Sequence, residues 1–262
     1  MFFAQLLARL RSPRGALYAA AALAAALLMA AGCSGGGDAA VTPTGSGGQT
    51  ADVSGCGSSN LLANPGFEDG DQPWITLSEE SGFEVTDERA RSGTHSARLR
   101  MRDSAEATGG GDTHSKVYYL VQEIAPSEMP EIVCGFYRAE NWKRGSPQQY
   151  LQFVVIAFGP ANFPADYENY QLRYLLAGAD SPPFRIGNAK FVFVTREDPV
   201  FDEWVPFQLS VREDFQRLWG IVPADYEKLR LLFEVRWDNK VPGEAVAEAD
   251  VYYDDLYAGG RD

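Results

Sequence analysis

Leu229, Leu231, Phe233, Val235 and Trp237 alternate with Lys228, Arg230, Glu234 and Arg236, and this period of two constrains the fold more than any other feature of the chain. Side chains that point alternately to opposite sides can bury one row and wet the other only in a strand whose sheet has one face on a core. Short runs rich in β-branched and aromatic residues recur near 60–63, 83–86, 96–102, 116–124, 132–139, 149–158, 172–176, 190–195, 205–211 and 250–257, parted by Gly, Pro and Asp clusters. Only 211–219, and a turn at 224–228, read as helix. So many short strands with so little helix predict an all-β domain, a sandwich or jelly roll, without internal repeats.

Ahead of the strands the chain divides in two. Residues 1–32 read as a signal peptide, with Arg9, Arg11 and Arg14 followed by an unbroken apolar run over 16–31. That run is shorter than the ~20 residues a spanning helix needs. It ends in Ala30-Ala31-Gly32-Cys33, which resembles a bacterial lipobox, although Ala30 stands where Leu is commoner. The resemblance implies cleavage before Cys33 and acylation of its thiol and amine, giving a membrane-anchored lipoprotein. Several acyl chains hold where one does not, because each buried CH₂ adds ~0.8 kcal/mol. Ser34 stands where an inner-membrane retention signal places Asp, which points to the outer membrane or cell surface of a bacterium. Residues 33–59 carry the lipidated Cys and a flexible tether, too poor in apolar surface to offset chain entropy. Gly45-Ser46-Gly47-Gly48 within it lacks the preceding strand and following helix of a phosphate loop.

Residues 60–262 then form a single domain, at about 200 positions a usual length for an all-β sandwich. A composition 45% hydrophobic and 12% aromatic can fill its core. The formal charge of −13 grows more acidic without the leader's arginines and argues against nucleic acid as a partner. Of three cysteines, lipidation of Cys33 leaves Cys56 and Cys134 in an oxidising compartment, where thiol pairs tend to join. Two arrangements are open: a Cys56–Cys134 disulfide stapling the tether to the sheet, or an exposed Cys56 with a buried free Cys134.

Four phrases carry a family resemblance: Asn60-Leu61-Leu62-Ala63-Asn64-Pro65-Gly66-Phe67-Glu68, Trp74, Ser92-Gly93-Thr94-His95-Ser96-Ala97-Arg98-Leu99, and Tyr252-Tyr253-Asp254-Asp255-Leu256. Together they resemble the galactose-binding-like superfamily, in particular carbohydrate-binding modules of the family 4/9/22 type, over most of residues 60–259. The resemblance implies a jelly-roll β-sandwich whose opening phrase forms the first strand and whose last strand lies beside it. It also implies a structural calcium ion (Ca²⁺) between those strands, with Glu68 and Asp254 as ligands. Calcium takes six to eight oxygens, largely from carboxylates and carbonyls. Asp255 is the second choice, because alternation sends it to the face opposite Asp254. Residues 159–203 look longer than the family's usual connection and, rich in Tyr, Phe and Pro, are able to cover the concave face where the family binds glycans.

A sugar site needs aromatic faces for pyranose rings and planar polar groups beside them. Tyr137, Trp142, Tyr150 and Trp237 are the candidate platforms, with Tyr174 a further one, and Arg138, Gln152 and Arg236 are the hydrogen-bonding partners. Alternation over 149–158 sends Leu151, Phe153 and Val155 to the core and Tyr150 and Gln152 to the other face; the same count puts Trp237 on the core side unless the strand end twists. No nucleophile elbow, zincin helix, Cys pair or phosphate-loop motif is present, and with two histidines a His-based triad has few options. The expected function is a non-catalytic glycan-binding module on a lipoprotein that captures polysaccharide at the cell boundary. The alternatives are a structural or adhesion module docking a protein partner through 159–203, and a jelly-roll hydrolase or lyase with convergent carboxylates.

Overall fold

Among the described residues, ten strands and one helix occur in the order that the alternation lays out. In the computed structural model, residues 56–77, 82–103, 115–163, 167–240 and 246–261 are described. The signal peptide, Cys33 and the tether up to residue 55 lie outside them, as do His114, one of the two histidines, and the adjacent carboxylates Glu79 and Glu80. The first sheet runs β1 (Glu84–Thr86), β2 (Ser96–Asp103), β10 (Ala247–Gly259), β4 (Ile132–Lys143) and β8 (Val205–Leu209) across its width. The second runs β3 (Ser115–Ile124), β9 (Lys228–Asp238), β5 (Gln149–Phe158), β6 (Asn169–Ala177) and β7 (Ala189–Phe193). Pairing is antiparallel throughout except between β6 and β7. The two sheets pack as a jelly-roll β-sandwich.

The core lies between the sheets and is built from the rows that alternation predicts. Leu229, Leu231, Phe233, Val235 and Trp237 of β9 and Leu151, Phe153, Val155 and Ala157 of β5 face Ala97, Leu99 and Met101 of β2 and Ala249, Val251 and Tyr253 of β10, all fully buried. Each such large side chain stabilises the fold by about 1.5–3 kcal/mol through removal from water. The one helix, α1 (Val211–Trp219), coincides with the predicted span and buries Val211 and Phe215. Its end at Gly220 is a left-handed turn, φ 75°, which glycine adopts without penalty. Residues 224–228 are not helical.

The opening phrase departs from expectation, because residues 60–63 are not a strand. Asn60 takes the place of the ladder: its amide donates to Leu256 O at 2.8 Å and its carbonyl accepts from Ala258 N at 3.0 Å. The same carbonyl accepts from Leu62 N at 3.0 Å, a side-chain turn that bends the chain out of extension. Gln122 from β3 then takes both backbone groups of Ala63. The phrase does lie beside the last strand, held there by these side chains and by two backbone bonds, Leu61 N to Ala258 O at 2.8 Å and Leu256 N to Pro65 O at 3.0 Å. Asn64 anchors the turn over residues 65–74, receiving the Trp74 indole on its carbonyl at 2.9 Å and donating its amide to Gly70 O and Gln72 O. Trp74 and Phe67 thereby enter the core with rings 5.4 Å apart. Cys56 and Cys134 form a disulfide across 78 residues, the first of the two open arrangements.

Candidate functional site

The outer face of the second sheet gathers the groups best suited to hold a polar ligand. Tyr150 and Gln152 of β5, Arg173 of β6, and Glu234, Arg236 and Asp238 of β9 project from neighbouring strands, since β5 pairs with both β6 and β9. Tyr150 donates its hydroxyl to Asp238, and Gln152 donates its amide to Glu234. Arg236 grips Asp238 with two nitrogens at 2.9 and 3.2 Å and lies 3.6 Å from Glu234. Burial opposes charge on Arg236, but Glu234, Tyr150 and Asp238 overcome it and raise its pKa above the usual range. Burial also drives the Tyr150 hydroxyl well above its ordinary value, so it stays a proton donor.

Two polar atoms in this cluster are closed off from solvent without a partner: the carbonyl oxygen Oε1 of Gln152 and the guanidinium nitrogen Nη1 of Arg173. Among the described residues, Arg173 otherwise donates only its Nε, to Gln171 Oε1 at 2.9 Å. Burial pulls its pKa below the usual arginine value. Buried polar groups are almost always paired, and an unpaired one costs about 1–3 kcal/mol. One acceptor and one donor left open on adjoining strands are the arrangement that a ligand hydroxyl can complete.

The excursion covers this cluster. Residues 159–203 are not a plain connection: they add β6 and β7 to the second sheet, and residues 178–188 fold back over its outer face. The Phe184 ring lies over both guanidinium groups, 5.2 Å from Arg173 and 5.3 Å from Arg236, and packs edge-on against Phe191. Asn239 holds Pro183 O at 3.0 Å. At the root of the loop, Gly178 has φ 96° and sits so close to β5 that a Cβ would lie 2.7 Å from Gln149 O. Beside the polar cluster, Val121, Val154, Ile156 and Leu232 form an apolar strip flanked by Tyr119 and Phe158.

The structure divides the other sequence-predicted ligand residues. Tyr150, Gln152 and Arg236 share the covered face. Tyr137 and Trp237 lie between the sheets, 3% and 0% exposed, so neither is an open platform. Tyr174 is likewise in the core. Trp142 follows Asn141, whose φ of 52° breaks the alternation at a register shift of β4 against β10 and turns the indole against the core. Arg138 belongs to the first sheet, where it pairs with Glu140 next to Arg89. Arg173 and Phe184 were not among the predicted ligand residues; the one signal for Arg173 is a lone charge between Leu172 and Tyr174 in an apolar strand. An open cleft of about 420 Å³ lined by Glu131, Arg212, Glu213, Gln216, Val222 and Arg261 lies at the α1 end. There Arg212 and Arg261 already bond Glu128, Met129 O and Ser210.

Glu68, Asp254 and Asp255 serve adjoining turns. Glu68 accepts the amides of Thr94 at 2.9 Å and His95 at 2.8 Å and the Thr94 hydroxyl at 2.8 Å. The His95 and Thr94 amides hold its pKa down at about 2. Asp254 accepts Arg91 N at 2.7 Å and Ser92 N at 3.3 Å. Asp255 was expected on the opposite face, but its φ of 48° places a bulge after Asp254. Both carboxylates therefore meet the same loop, Asp255 bonding the Arg91 guanidinium and the Ser92 hydroxyl at 2.6 Å each. Among the described residues no group of three or more His, Cys, Asp or Glu is placed to hold a metal ion. The oxygens of Glu68 and Asp254 face turn amides, and this set does not fit calcium as it stands.

The pKa of Asp254 is pushed up to about 6 by burial, against the Arg91 amide and with help from Asp255. Its stabilising contribution is complete below the usual value of 3.8 and is lost as pH rises through about 6. That of Glu68 is complete above 4.5 and is lost as pH falls toward about 2. In chelator-containing buffer, Tm should therefore rise by a few degrees from pH 7 to pH 5, and by less in Asp254→Asn. Parallel profiles would refute the assignment.

No protein-family model matches the chain, and no curated protein matches it. Solved structures do. A family 61 carbohydrate-binding module in complex with β-1,4-galactotriose aligns at TM-score 0.41 and 14% identity, over 78% of this chain and 100% of that one. A "Family 16 Carbohydrate Binding Module-2" aligns at 0.43 and 15%, over 76% and 99%. A xylanase mutant aligns at 0.32 and 11%, over 82% and 93%. Scores this low assign this chain neither a ligand nor a residue role.

Proposed function

We propose that the protein is a non-catalytic glycan-binding module, tethered through a lipidated Cys33 to the outer membrane or cell surface. The observation that carries this reading is the open pair on the second sheet, Gln152 Oε1 and Arg173 Nη1. A sugar hydroxyl donates and accepts at once, so one hydroxyl has the chemistry to satisfy both kinds of atom, and Phe184 on the covering loop carries a ring on which a pyranose can stack once the loop has lifted. Access requires the 178–188 loop to lift from the guanidinium groups.

The carboxylates of this face are poorly arranged for hydrolysis. The Arg236 guanidinium lies between Glu234 and Asp238 and pairs with both, so neither carboxylate is left free to act as the acid or the base that glycoside hydrolysis needs.

Calorimetry of the purified protein against a polysaccharide panel tests the reading. Saturable binding is expected, weakened about tenfold (~1.4 kcal/mol) by Gln152→Leu. Absence of binding across the panel would remove the glycan. It would favour a protein-docking module, for which Ile186, Val194, Val200 and Phe201 are exposed along the same excursion. Loss of membrane fractionation in Cys33→Ala checks the anchor. Calcium stays outside this reading: melting profiles in calcium and in chelator are expected to superimpose, and a calcium-dependent rise in Tm would bring the ion back.

A further inference from the structure

We infer that the ligand of the covered face is an acidic glycan, whose sugar carboxylate pairs with Arg173 while a neighbouring hydroxyl of the same ring donates to Gln152 Oε1. The inference rests on the glycan-binding reading and names its substrate class. Other arginines with little exposure have carboxylate partners: Arg98 pairs with Glu84 and Glu88, Arg138 with Glu140, and Arg236 with Glu234 and Asp238. Arg173 makes no ion pair among the described residues; its Nε meets a neutral amide and its Nη1 meets nothing. A largely buried charge with no carboxylate in contact is unfavourable, Glu234 and Asp238 acting on it only at longer range, and a ligand carboxylate at Nη1 supplies the contact that the fold omits.

The four charged groups of the cluster, Arg173, Arg236, Glu234 and Asp238, sum to zero, so their placement decides the local field. Both carboxylates are gathered by Arg236 on β9, two strands from Arg173, and neither makes an ion pair with Arg173. A ligand carboxylate in contact with Arg173 outweighs repulsion from carboxylates that are not, because Coulomb energy falls as the inverse of separation. A uronic acid carries its carboxylate beside a ring hydroxyl, and Arg173 and Gln152 present an open donor and an open acceptor on adjoining strands. A neutral sugar leaves the guanidinium uncompensated.

The test compares polygalacturonate, its carboxyl-reduced form and polyglutamate by calorimetry against the purified protein. Binding to polygalacturonate at least tenfold tighter than to the reduced polymer, with none to polyglutamate, is the expected result. Equal binding to both polysaccharides would overturn the inference and leave the glycan reading standing. No binding to either would remove both, and binding to polyglutamate would show carboxylate recognition without a sugar, which also overturns it. Arg173→Met separates a ligand role from a structural one. It should abolish the preference for the carboxylate polymer while Tm stays equal or rises, because the variant no longer buries an unpaired charge. A lower Tm in Arg173→Met, with the preference intact in any folded fraction, would make Arg173 a structural residue.

Discussion

Replacing Phe233 by alanine is expected to destabilise the fold by about 3–5 kcal/mol, the range for a large aromatic side chain removed from a packed core. Phe233 is fully buried, and four other rings meet it: Phe153 at 4.7 Å, Tyr253 at 5.3 Å, and Trp74 and Phe207 at 6.1 Å. These rings come from β5, β10, β8 and the Asn64-anchored turn, so the cavity would open where both sheets and the N-terminal turn converge. For a domain of this size the loss corresponds to a fall in Tm of about 10 °C. Phe158, half-exposed on the outer face, provides the comparison, and Phe158→Ala should change Tm little. Equal effects of the two substitutions would show that Phe233 is not at the centre of the core.

Removing the Cys56–Cys134 disulfide is expected to have a comparable effect. Its two ends are 78 residues apart. In the chain-entropy account a closed loop of that size raises stability by about 4–5 kcal/mol, within a measured range of about 2–5 for native disulfides. The native state also uses the link: Cys134 packs with Ile132 and Tyr257 on the outer face of the first sheet, and Cys56 bridges to Arg261. Thermal melting of the double Cys56→Ala, Cys134→Ala variant, and of the native chain with reductant, should show the same fall in Tm. Unchanged melting in both, with two thiols per chain open to alkylation in the untreated folded protein, would overturn the disulfide.

Much of the fold was legible in the residues. The predicted strands at 96–102, 116–124, 132–139, 149–158 and 250–257 all fall within observed strands, and β9 shows the alternation from which the fold was read. Period-two patterning is local and needs no knowledge of partners, which explains why it survives. It fails where one residue changes the parity. The bulges at Asn141 and Asp255 invert the facing of the residues there, moving Trp142 to the core and Asp255 beside Asp254. Residues 60–63 failed differently, because the Asn60 side chain supplied most of the bonds that a strand ladder would have made and bent the chain after Leu61 N had met Ala258 O.

By itself, the sequence determined most of the strand segments and which rows of each are apolar, and it left the pairing of Cys56 and Cys134 open. Those are properties of neighbours along the chain. Only the tertiary structure decided which strands lie side by side, and therefore that Gln152 of β5 and Arg173 of β6 each leave an atom open on one face beneath Phe184. Whether a polar atom has a partner depends on groups brought in from distant segments, and no local pattern encodes that.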